Sequence, residues 1–139
     1  MTQECIFCKI INGEIPAKKI FENDKVLAFL DIFPMSQGHT VIIPKKHFNH
    51  FENVDSSTIA EVFNTIQYLG RFYLKIPSIE GFNVLVNNYS AAGQVIEHFH
   101  VHLIPRKTND GIISHKIPKE QASEEELNEF LEIFSKIKN

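Results

Sequence analysis

The chain has 139 residues, 43% of them hydrophobic, with 14 basic and 17 acidic residues and a formal net charge of -3. That length accommodates one compact domain with a proper core, and the balanced charge excludes a broad basic footprint for nucleic acid or an anionic membrane, so any phosphate is bound locally. No run approaches the about eighteen apolar residues of a membrane span, and Met1 to Glu4 followed by Cys5 lacks the regions of a signal peptide, which sets the expected location as cytoplasmic.

In the reducing cytosol, Cys5 and Cys8 are not expected to form a structural disulfide. They read as metal-binding, redox-active or simply buried. Cys5 to Asn12 suits a short helix ended by Gly13, with the three-residue offset placing both thiols on one side. Lys25 to Leu30 reads as a strand. After a turn around Pro34 to Gly38, the β-branched run His39 to Ile43, stopped by Pro44, reads as a second.

From Asp55 or Ser56 as N-cap, Ile59, Val62, Phe63, Ile66, Leu69 and Tyr73 recur at helical spacing and predict a long central helix covering one sheet face. Gly81 to Asn87 reads as a strand, and the polar turn Asn87 to Ala92 returns the chain into the next, implying an antiparallel pair. Finally, Ser123-Glu124-Glu125-Glu126 is a capping box. Leu127, Phe130, Leu131 and Phe134 give the last helix a hydrophobic face. These elements describe an α+β domain with an antiparallel sheet.

The strongest chemical signal is His98, His100 and His102, with Phe99, Val101, Leu103 and Ile104 between and after them. In an extended strand these three imidazoles share one face while the apolar residues enter the core from the other. A plain half-buried strand with polar residues on its wet side is the alternative. Three histidines in phase, with Gly93-Gln94 before them and Pro105-Arg106 after, argue against it. A neutral imidazole is a good nucleophile toward phosphorus, and a covalent histidine intermediate replaces one hard displacement by two easier ones. His100 has a histidine on each side, about 7 Å away by the strand repeat.

Gly93-Gln94 followed by His98-Phe99-His100-Val101-His102-Leu103-Ile104 resembles the signature of the histidine triad (HIT) family. Cys5-Ile6-Phe7-Cys8-Lys9-Ile10-Ile11, Gly13-Glu14-Ile15-Pro16-Ala17, Phe29-Leu30-Asp31-Ile32 and Gly38-His39-Thr40-Val41-Ile42-Ile43-Pro44-Lys45-Lys46-His47 are similar to the branch that includes the nucleoside phosphoramidases. The resemblance covers residues 4–106 and leaves the tail from Lys107 onward without support; the whole chain, 1–139, reads as a single HIT domain, with 107–139 a C-terminal loop and helix. It also implies a five-stranded antiparallel sheet with a long central helix, extended across a homodimer.

The resemblance further implies that His100 attacks an α-phosphate, with His98 and His102 orienting the nucleophile or touching phosphate oxygens. His102, Gln94 and the backbone around Gly93 become donors to the phosphate. Asp31 would accept from both ribose hydroxyls, Ile15, Phe29 and Ile32 would sandwich the purine, and Asn87 would reach the ribose-phosphate edge. Read alone, Asp31 could cap a turn and the apolar residues could be core. Val95 stands where phosphoramidases usually carry a serine, which leaves the leaving group less defined than the nucleotide.

By the same resemblance Cys5, Cys8, His47 and His98 form a closed structural zinc set. His50 is a substitute ligand or faces solvent. His115 receives no role, and His39 stands at most behind the reacting groups. The implied activity is hydrolysis of purine nucleoside phosphoramidates or related monophosphate derivatives of AMP or GMP. The alternatives are a dinucleoside polyphosphate hydrolase, a nucleotidyl transferase, or a non-catalytic nucleotide-binding interaction module.

Overall fold

The computed structural model describes residues 4–112 and 118–138. His115 lies outside them. Along the chain run α1 (Ile6–Ile11), β1 (Lys19–Glu22), β2 (Val26–Leu30), β3 (Thr40–Pro44), α2 (Ser56–Tyr73), β4 (Gly81–Leu85), β5 (Val101–Arg106) and α3 (Glu124–Lys138). The strands form one antiparallel sheet in the order β1-β2-β3-β5-β4.

Strand alternation sorts the core into two layers. Val26, Ala28, Ile42, Val101 and Leu103 meet Val62, Ile66, Leu69 and Tyr73 of α2 on one face. Leu27, Phe29, Val41 and Ile43 meet Phe7 and Ile10 of α1 on the other. The helix covers its face because its apolar positions recur at three and four residues, and Asp55 caps its start by accepting from the Thr58 N–H. Burying Val62, wholly out of solvent, stabilises by about 1.5–3 kcal/mol.

Several boundaries move for physical reasons. Cys5 is the N-cap of α1, its sulfur accepting from the Cys8 N–H at 3.4 Å. Lys25 stays in a turn, where Asn23 Oδ1 accepts from both the Lys25 and Val26 N–H. Pro44, expected to stop β3, is its last residue, opposite Val26. β1 is a strand the periodicity does not show: a bulged edge strand, mostly exposed.

The triad strand begins only at Val101. His98, at the end of a bend, and Phe99 and His100 precede it outside the sheet, where the Phe99 N–H donates to Phe48 O at 2.6 Å instead of to a sheet neighbour. β4 and β5 are antiparallel as expected, but residues 86–100 join them by a long excursion containing one 3-10 turn, Ser90–Ala92. At α3 the capping box forms in both directions between Ser123 and Glu126. Its apolar face, however, stays exposed: Leu127, Phe130, Leu131 and Phe134 keep 47–64% of their surface.

Candidate active site and metal centre

Register places one imidazole in an apolar floor. Phe29 pairs with Val41, Val41 with His102, and His102 with Leu85, so these four form a transverse row on the face opposite α2. His100 continues that face one step earlier along the chain, 6% exposed and edge-on to Phe7 at 5.1 Å. The floor opens into a cavity of about 520 Å³.

Hydrogen bonds fix the tautomers. His100 Nδ1 lies 2.7 Å from the His98 carbonyl oxygen and donates to it, which leaves the Nε2 lone pair unprotonated. Burial pushes the His100 pKa down, against the opposing pull of the His98 carbonyl and Asp31, so the ring is neutral at pH 7. His39 Nδ1 accepts from the Met35 N–H at 3.0 Å, so its proton sits on Nε2 and is donated to His102 Nδ1 at 2.9 Å. His102 therefore carries its proton on Nε2. Burial, then the neighbouring His100 and His39, hold its pKa down at about 4.

Asp31, His39 and His102 also group closely enough to suggest a metal set. The Met35 N–H rules against it. A metal would need the lone pair of His39 Nε2, but that atom bears the proton.

The second cluster fits a metal well. Cys5 Sγ, Cys8 Sγ, His47 Nδ1 and His98 Nδ1 lie within 4.8 Å of one another. Three sulfur-to-nitrogen separations are 3.4, 3.3 and 3.6 Å. A tetrahedron with zinc–sulfur and zinc–nitrogen bonds of about 2.3 and 2.05 Å has such an edge of about 3.5 Å. His98 Nε2 donates to Pro44 O at 2.9 Å and His47 Nε2 to Asn49 Oδ1 at 2.6 Å, so both Nδ1 lone pairs face the sulfurs. His50, partly buried, is not in this cluster. It stacks on Tyr89 and donates through Nδ1 to Gln94 Oε1.

The HIT domain profile matches residues 12–109. The chain belongs to the HIT domain family. It is 44% identical over 108 residues to the adenosine 5'-monophosphoramidase of Candida albicans, covering 74% of this chain and 70% of that one. It is 44% identical over 110 residues to the adenylylsulfatase of Arabidopsis thaliana, covering 79% of this chain and 56% of the plant protein. A zinc-bound histidine triad family protein of Mycobacterium smegmatis superposes with a TM-score of 0.77 at 32% identity, covering 86% of each chain.

Within this HIT fold the expected nucleotide residues largely converge. Ile15, Phe29, Asp31, Ile32, Asn87 and Gly93 line the cavity with His100 and His102. Asp31 does cap a turn, Oδ1 accepting from the Phe33 N–H at 2.8 Å, yet it also faces the cavity. His98 does not line the cavity. Its ring belongs to the metal cluster and only its carbonyl reaches His100.

Gln94 is bonded elsewhere. Its Oε1 accepts from Tyr89 N–H and His50, and its Nε2 donates to the carbonyls of Asn49 and Ile96, so the amide is turned inward, away from the cavity. The backbone there shifts likewise: the Gly93 and Gln94 N–H groups close the 3-10 turn on Ser90 O and Tyr89 O. Among the described residues, the next N–H without a partner is that of Val95, which lines the cavity.

Phe7 and His39 also line the cavity, and the motifs alone do not mark them. The phase of β3 carries the signal for His39, since His39, Val41 and Ile43 alternate onto the histidine face.

Proposed function

We propose that this HIT protein hydrolyses purine nucleoside 5'-phosphoramidates or closely related nucleoside monophosphate derivatives through a nucleotidyl intermediate on His100. The observation that carries the reading is the His100 Nδ1 bond to the His98 carbonyl, which leaves Nε2 as the free lone pair in a cavity-lining imidazole. In the first step that lone pair forms a bond to the α-phosphorus, while the phosphorus–nitrogen bond to the leaving amine breaks. The amine keeps the electron pair and takes a proton from solvent. In the second step water attacks phosphorus, the bond to Nε2 breaks and returns the pair to His100, and the water's proton is released.

His102 Nε2–H and the Val95 N–H are the donors for non-bridging oxygens, where charge develops. His39 keeps the His102 proton on that nitrogen. Ile15, Phe29 and Ile32 supply the apolar walls for a purine and Asp31 the acceptor for ribose hydroxyls, with Asn87 at the ribose-phosphate edge.

Cys5, Cys8, His47 and His98 would hold a structural zinc ion. It would supply no substrate coordination, only a tie between α1 and the histidine segment. The assembly in this reading is a homodimer with the sheet continued across a two-fold axis. The protein is cytoplasmic, and no helix among the described residues is long and apolar enough to cross a membrane.

The cavity disfavours a polyphosphate substrate. Among the described residues no Lys or Arg lines it, so the extra phosphates of a dinucleoside polyphosphate find no countercharge from them. Steady-state assays test both points. Wild type should release AMP from adenosine 5'-phosphoramidate far faster than it cleaves diadenosine tetraphosphate, and His100→Ala should lose about a thousandfold or more in kcat. Faster cleavage of the tetraphosphate would move the assignment to the polyphosphate hydrolases.

A further inference from the structure

Tyr89 has φ 74° and ψ 156°, a conformation natural to glycine and strained for any residue with a Cβ. It is held there by its backbone, its ring and its hydroxyl. Its N–H donates to Gln94 Oε1 at 2.7 Å, and its carbonyl accepts from the N–H groups of Ala92 and Gln94. Its ring stacks on His50 with centroids 3.7 Å apart and planes 19° from parallel. Its hydroxyl donates to the Glu52 carboxylate, which also accepts from Asn88 Nδ2.

Gln94 closes the assembly by bonding Asn49 O and Ile96 O with its amide nitrogen. The result is a clamp between residues 49–52 and 88–94. It lies behind the turn whose other side carries Asn87, Gly93 and Val95 into the cavity.

We propose that Tyr89, gripped by His50, Glu52 and Gln94, is a positioning residue that holds the 87–95 turn in the one conformation presenting Asn87 and the Val95 N–H to the substrate phosphate. Tyr89 does not line the cavity, so it acts through the turn and not by contact. A glycine would adopt the same dihedral angles without strain but would lose both the stack and the hydroxyl bond, leaving the turn free to relax. The tyrosine accepts local strain in exchange for two anchors on a neighbouring segment. This inference rests on the nucleotide reading of the cavity.

Tyr89→Gly and Tyr89→Phe separate positioning from plain stability. In Tyr89→Gly the amide hydrogens of Gly93 and Gln94 should exchange at least about tenfold faster than in wild type. Its kcat/KM on adenosine 5'-phosphoramidate should fall by about tenfold or more, with the thermal midpoint unchanged or raised because glycine relieves the backbone. Tyr89→Phe keeps the stack but loses the Glu52 bond, so its kcat/KM and its Gly93 and Gln94 exchange rates should fall between those of wild type and Tyr89→Gly; a Tyr89→Phe as impaired as Tyr89→Gly would remove the His50 stack from the clamp.

Wild-type exchange and wild-type kcat/KM in Tyr89→Gly would overturn the proposal. So would an activity loss that merely tracks a lowered thermal midpoint. A wild-type protein that neither binds AMP nor hydrolyses the phosphoramidate would overturn the nucleotide reading and the functional half of this proposal with it. The exchange rates would still decide the clamp, faster exchange supporting it and unchanged exchange refuting it.

Discussion

His98 serves two sites at once: its ring nitrogen Nδ1 lies 3.4 Å from Cys5 Sγ, while its carbonyl oxygen lies 2.7 Å from His100 Nδ1. Anything that displaces the His98 ring therefore reaches the tautomer of His100 through one peptide unit. The metal cluster and the reacting face are neighbours by covalent geometry.

Metal analysis of the purified protein should find about one zinc per chain, and Cys8→Ser should lose it. Chelation or that substitution should lower the thermal midpoint, since a closed four-ligand site contributes folding free energy directly. It should also slow AMP release, because His98 is no longer held. Full zinc content in Cys8→Ser would remove that residue from the ligand set.

Gly70 tests the packing of α2 on the sheet. A Cβ there would sit 2.7 Å from Phe82 Cζ, inside contact distance. Alanine adds about 1 kcal/mol of helix propensity, but overpacking a ring held between helix and strand costs about 1–3 kcal/mol. Gly70→Ala should therefore be destabilising in urea or thermal unfolding, and Phe82→Leu should partly restore it. A stabilised Gly70→Ala would show that Phe82 moves aside freely.

The sequence carried the large periodic features and lost the small tertiary ones. The stripe from Ile59 to Tyr73 and the histidine phase are legible because each is set by local spacing and by burial of one face. β1 is not, since Lys19 and Glu22 are solvated and a bulge breaks its alternation. Gln94 misleads for a different reason: its amide is claimed by His50 and Asn49, which lie 44 and 45 residues earlier in the chain. No short-range pattern reports that.

Acid should destabilise the fold through His102 and His39. Both are held neutral by burial, His102 down at about 4, so the unfolded chain binds more protons than the folded one between that value and the ordinary histidine range near 6.5. Their contribution is complete above about pH 6.5 and is lost as pH falls below it, for His102 toward about 4. Urea unfolding across that window should show stability falling with pH, with a shallower slope in His102→Asn. An equal slope would place the acid sensitivity elsewhere.

The nucleotidyl intermediate on His100 is the central claim, and intact-mass spectrometry tests it most directly. Wild type and His100→Ala would be mixed briefly with adenosine 5'-phosphoramidate and quenched in alkali, which preserves an acid-labile phosphorus–nitrogen bond. Wild type should gain the mass of one adenylyl group, and His100→Ala should gain none. An adduct of the same mass on His100→Ala, or AMP release from it at the wild-type rate, would contradict the account.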